Sequence, residues 1–165
     1  MLDFSQKKEK TRRIIEKPGF YEMELKAEWA ETSKKVPYIN CIFTVRSDVN
    51  QEYQGMYVYD GIYKSSTTGD FNYDKIQALI ETQVKPNYQF EDYDELIQHF
   101  NGLLLRAEVL IEEADDNVPN SKRKNVIKYC SYAKTNHPTK GSVSTPSRFD
   151  TQPTTTDVSD DEIPF

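Results

Sequence analysis

The sequence predicts a mainly β protein: one five-stranded barrel domain with a helical insertion between its third and fourth strands, then a disordered acidic tail. Three observations predict it. Apolar and polar residues alternate with period two in stretches before residue 61, and strand-like segments resume after residue 102. Between them the period lengthens to that of a helix. After His137-Pro138 the composition shifts to Thr, Ser, Pro, Gly and Asp, which cannot bury enough apolar surface to offset ordering entropy.

Residues 1–16 form a basic arm, read either as a short solvated helix or as a second contact for a polyanion. From Gly19 the chain alternates: Tyr21, Met23, Leu25, Ala27 and Trp29 share a face, with Glu22, Glu24, Lys26 and Glu28 between them. Trp29 ends that apolar face and is read as core. A polar turn carrying Lys34 and Lys35 leads to a second strand, Tyr38 to Arg46. There Ile39, Cys41, Phe43 and Val45 face the core, and Tyr38, Asn40, Ile42, Thr44 and Arg46 face outward. A third strand, Gln54 to Asp60, opposes Met56 and Val58 to Tyr57 and Tyr59, and Gly61 and Gly69 read as turn residues. Ile76, Leu79 and Ile80 mark a first helix over 74–82. Asp92-Tyr-Asp-Glu95 resembles a capping box, and Tyr93, Leu96, Ile97 and Phe100 form the apolar stripe of a second. Strands resume over Leu103 to Glu113 and Asn125 to Tyr132, joined by a polar hairpin with Lys122, Arg123 and Lys124. Five strands with helices between the third and fourth match the order of the OB-fold, a partly open Greek-key barrel. The domain is therefore expected over residues 17–135 and the tail over 136–165.

The chain has 165 residues and a formal charge of −6, which by itself disfavours a partner rich in phosphates. The charge is unevenly placed, however. Residues 1–17 hold six cations against three carboxylates, whereas residues 138–165 hold two cations against five carboxylates. Cys41 and Cys130 lack any paired or Cys/His spacing and read as buried thiols of a reducing compartment. His99 and His137 stand apart from any ligand set, so no metal or other cofactor is expected. No apolar run reaches membrane-spanning length and no signal peptide opens the chain, which predicts a soluble intracellular protein. No P-loop, nucleophile elbow or dinucleotide fingerprint is present. The acidic runs 91–95 and 112–116 read as a helix start and a solvated hairpin, not as nuclease carboxylates.

The last six residues, Asp160, Asp161, Glu162, Ile163, Pro164 and Phe165, have the chemistry of a ligand. Ile163 and Phe165 suit an apolar pocket, Pro164 restricts the free ensemble, and the carboxylates suit a basic rim. This run resembles the acidic C-terminal tip of bacterial and phage single-stranded-DNA-binding proteins. Gly19-Phe-Tyr-Glu22, Tyr38-Ile-Asn40, Val45-Arg-Ser-Asp-Val-Asn-Gln51 and Asn125-Val-Ile-Lys-Tyr129 resemble small phage-encoded members from Gram-positive hosts, over roughly residues 16–135. The resemblance implies an OB-fold, sequence-tolerant binding of single-stranded DNA in phage replication and recombination, and a homo-oligomer. It also implies a tip that recruits replication or recombination proteins in the cytoplasm of the infected host cell.

The residues must still supply a surface. Sequence-tolerant binding uses aromatic rings that stack on bases beside cations that track the backbone. Tyr38, Tyr57 and Tyr59 with Arg46 form the expected face, flanked by Lys34, Lys35 and Lys64, while Lys122, Arg123 and Lys124 occupy the loop with which OB-folds clamp a strand. The bland alternative buries these tyrosines under a loop or helix, or in a dimer interface. The expected activity is binding without chemistry, with a protein-interaction adaptor as the alternative. The negative tail is expected to compete weakly with DNA, so that a chain ending at Thr135 binds oligo(dT) more tightly at low salt.

Overall fold

The computed structural model describes residues 1–5 and 13–141. The expected tail beyond Gly141, including the tip Asp160–Phe165, and most of the arm's cations lie outside the described residues.

Five strands, β1 (Gly19–Glu31), β2 (Pro37–Val45), β3 (Tyr57–Ile62), β4 (Leu104–Glu112) and β5 (Lys124–Lys134), form one antiparallel sheet in the order β3-β2-β1-β4-β5. Helices α1 (Tyr73–Ile80) and α2 (Tyr93–Phe100) lie between β3 and β4, as the helical period predicts. The long β1 serves two partners: Gly19–Glu24 ladder with β4, and Met23–Glu31 with β2. Alternation dictates its buried face. Met23, Leu25 and Ala27 meet Ile39, Cys41, Phe43 and Val45 of β2 in one core, joined by Leu105, Ala107 and Val109. Burial pushes the Cys41 thiol up to about 12. Cys130 is only half-buried and adopts a left-handed φ of 53°, at a bulge where β5 shifts register against β4.

The helices cap the core. Asp92 accepts the Glu95 amide and Asn72 accepts the Lys75 amide, so both N-termini have capping side chains. Leu96, Ile97 and Phe100 pack inward from α2. Asn101 then exchanges hydrogen bonds with the Ala27 backbone on both sides, at 2.9 and 3.0 Å, where β1 has left β4. Among the described residues no helix is long and apolar enough to cross a membrane.

Backbone closure of a barrel is not seen. The edge strands β3 and β5 share no ladder, and side chains bridge them instead. Tyr132 of β5 stacks on Phe43 and donates its hydroxyl to Asp60 of β3 at 3.1 Å; burial and the Asp60 carboxylate raise the Tyr132 pKa. Lys75 of α1 donates to Asp60 and to the Gly61 carbonyl, each at 2.8 Å, with its ammonium 5.8 Å from the Tyr129 ring. Helix α1 thus sits at the seam where a closing ladder would run.

The folded unit also extends past the expected bounds of 17 and 135. Ile15 is fully buried, its amide and carbonyl both held by the Asn125 side chain at 2.7 and 2.9 Å. Ile15→Ala should therefore lower stability by about 2–5 kcal/mol, a core-cavity cost measurable by urea unfolding. A change within ±0.5 kcal/mol, typical of a solvated arm, would contradict the placement.

Candidate functional site

Period two on β3 turns Val58 and Ile62 inward and Tyr57 and Tyr59 outward; Gly61 lies on the same outer side but is covered, and Tyr63, one residue past the strand, continues the row. The register sets each beside β2: Tyr57 opposite Thr44, Tyr59 opposite Ile42 and Gly61 opposite Asn40. Gly61 is a strand residue, not a turn. A Cβ there would lie 2.4 Å from the Tyr63 ring, so only glycine lets that ring lie back across the strand. Tyr63 then stacks on Tyr38, with ring centroids 4.7 Å apart and planes inclined by 21°. Tyr57 and Tyr59 meet edge to face at 5.6 Å. Tyr57, Tyr59 and Tyr63 are 58%, 55% and 51% exposed, so each keeps about half its area free for a flat ligand. Of these, Tyr63 escaped the sequence reading. Its signal was the same alternation carried two residues past Gly61.

The expected cations divide into three groups. Lys34 and Lys35 are exposed in the β1–β2 turn, where Lys35 takes a left-handed φ of 61° and its amide donates to the Thr32 carbonyl. Lys64 follows Tyr63, its ammonium 5.2 Å from the Phe71 ring centroid. The β4–β5 hairpin is a separate element. Arg123 pairs with Glu113 and Glu16 at 3.0 and 3.3 Å, and Lys124 with Glu112 at 3.2 Å. Lys122 makes no ion pair among the described residues. Exposed pairs of this kind contribute only about 0–1 kcal/mol, so a phosphate can displace them.

Arg46 does not face outward. It is 3% exposed and its guanidinium is fully committed inside the protein. Nε and Nη2 form a two-pronged pair with Asp48 at 2.9 and 2.7 Å, and Nη1 donates to the His137 carbonyl at 2.6 Å. Glu22, also buried, lies 3.8 Å from Nη1 and accepts from the Thr135 hydroxyl and the Asn136 amide. Asp48 in turn accepts the Gly141 amide at 2.8 Å. The Arg46 hydrogen bonds outweigh desolvation and hold the Asp48 carboxyl well below its ordinary 3.8. This hub fastens residues 135–141 to the sheet, which is why Glu22 breaks the polar side of the β1 alternation. The only sequence trace is the Arg46-Ser-Asp48 spacing; Glu22 and the strap are distant in the chain.

Trp29 is likewise not core. At 43% exposed it stands where β1 outruns the sheet interior, its indole N–H donating to Asp94 at 2.6 Å and its ring 5.8 Å from Phe71. His99 and His137 join no cluster of three or more metal-ligating side chains among the described residues. The structure thus gathers Tyr38, Tyr57 and Tyr59, with Lys64 adjoining, and removes Arg46. No protein-family model matches this sequence, and no curated protein shows significant similarity to it.

Proposed function

We propose that the protein binds single-stranded DNA without sequence preference and without chemistry, on the outer face of β2 and β3. One observation carries the reading: the half-exposed row of Tyr57 and Tyr59 on β3 and Tyr63 just past its end, backed by Tyr38 of β2. Every base has a flat face, so such rings grip any sequence, and nearby lysines supply the backbone attraction. The strand order β3-β2-β1-β4-β5, with Tyr132 and Lys75 drawing β5 and β3 together, supports a partly open OB-fold as the scaffold. The acidic tip supports recruitment of replication or recombination proteins in a phage-infected cell, and association of copies would add avidity. Titration with oligo(dT) tests the reading. Tyrosine and tryptophan fluorescence should quench, and the affinity should fall steeply with salt. No quenching at low salt would leave the face to a protein ligand, as in an adaptor.

The proposed competition between tail and DNA needs a cut that spares the strap. Ending the chain at Thr135 would strip Arg46 and Asp48 of their partners at His137 and Gly141. A chain ending at Gly141 should bind oligo(dT) more tightly than the full chain at low salt and equally at high salt, by fluorescence titration. Equal affinity at low salt would refute the competition.

A further inference from the structure

Past Tyr63 the chain leaves the sheet, makes a loop over residues 64–72 and returns as α1. The loop is shaped from within. Lys64 and Phe71 form an isolated antiparallel bridge, the Ser65 amide donates to the Asp70 carbonyl at 2.8 Å, and the Gly69 amide to the Ser65 carbonyl at 2.8 Å. The loop itself encloses an open groove of about 530 Å³, lined by Tyr63, Lys64, Phe71 and Tyr73 among others, so that Tyr63 is the ring it shares with the tyrosine row. Tyr73 is 70% exposed at the first position of α1. Its neighbour Asn72 is held by the Lys75 amide and the Tyr129 hydroxyl, so the ring is displayed from a fixed backbone. Lys64 makes no ion pair among the described residues.

We propose that a single strand lying on the tyrosine row continues over Tyr63 into this groove, stacking a base on Tyr73 and setting a phosphate against the Lys64 ammonium. The inference rests on the reading of β3 as the single-strand site, and it names the strand's exit. The other exits are less favourable to a polyanion. Beside Tyr57 and Thr44 stands Glu24, which holds Lys140 at 2.8 Å, so a phosphate there must compete with a carboxylate already on that cation, whereas Lys64 has no such competitor among the described residues. Beyond Trp29 stand Asp92, Asp94 and Glu95, exposed carboxylates that make no ion pair among the described residues. Asp70 opposes the phosphate at the groove itself, being exposed and likewise unpaired, and so confines the backbone to the Lys64 side.

The test compares oligo(dT) of about 4 and about 12 nucleotides, spanning the usual range of one OB-fold. In the full chain the longer strand should bind more tightly. Tyr73→Ala should weaken the longer strand about five-fold or more and leave the shorter one unchanged. Lys64→Ala should flatten the salt dependence of the longer strand by about 0.7 in log–log slope, which a merely structural role would not do. Asp70→Asn should tighten the longer strand. If the full chain binds the longer strand and neither Tyr73→Ala nor Lys64→Ala alters that binding, the strand leaves by another route and the inference fails, whether or not the shorter strand binds. If the full chain binds neither strand, the reading of the tyrosine face itself fails.

Discussion

Tyr57→Ala combined with Tyr59→Ala should remove most single-strand affinity while leaving thermal unfolding near that of the unchanged protein. Both rings point away from the core and are more than half exposed, so their loss opens no cavity. Stacking of one base on one ring is worth about 1–3 kcal/mol, so losing two should cost about 2 kcal/mol or more, at least thirty-fold in Kd. The two rings touch edge to face, and removing one frees the other to move, so the single variants are not expected to sum to the double. Oligo(dT) titration with parallel melting curves decides. Unchanged affinity with an unchanged melt would remove β3 from the binding surface.

The other large effect is on stability. Arg46→Ala strands Glu22 and Asp48, two carboxylates with little access to water, and should cost about 3–5 kcal/mol. Arg46→Lys should recover only part of it, because an ammonium cannot form the two-pronged pair with Asp48. The pH dependence follows from the depressed pKa of Asp48. A carboxyl that loses its proton more readily when folded stabilises the fold above its ordinary 3.8, and that contribution fades as pH falls below it. Urea midpoints of the unchanged protein should therefore fall through this acid range, and those of Arg46→Ala should fall less. Parallel pH profiles in the two proteins would assign the acid loss elsewhere. DNA affinity at neutral pH should survive Arg46→Lys, since this arginine faces inward.

How much of this was legible in the chain varies with distance along it. The buried row Ile39, Cys41, Phe43 and Val45 follows from alternation alone, because a strand must turn every second side chain to the same side. Helix α2 follows from Asp92, Glu95 and the stripe through Phe100, all within two turns. The outward tyrosines of β3 follow from the same local rule, and extending it past Gly61 would have found Tyr63 as well.

Residue types and period thus determined the elements, their order and which side of β2 and β3 carries the rings, since those depend on neighbours a few positions away. The tertiary structure decided the rest. It drew Arg46 inward to partners up to 93 residues further along the chain, and Ile15 into the core through Asn125, 110 residues away. It exposed Trp29 by letting β1 outrun the interior, and it brought Tyr132 of β5 and Lys75 of α1 together on Asp60 of β3. A charged side chain reads as solvated until its counter-charges are located, and only folding brings together groups that the chain holds apart.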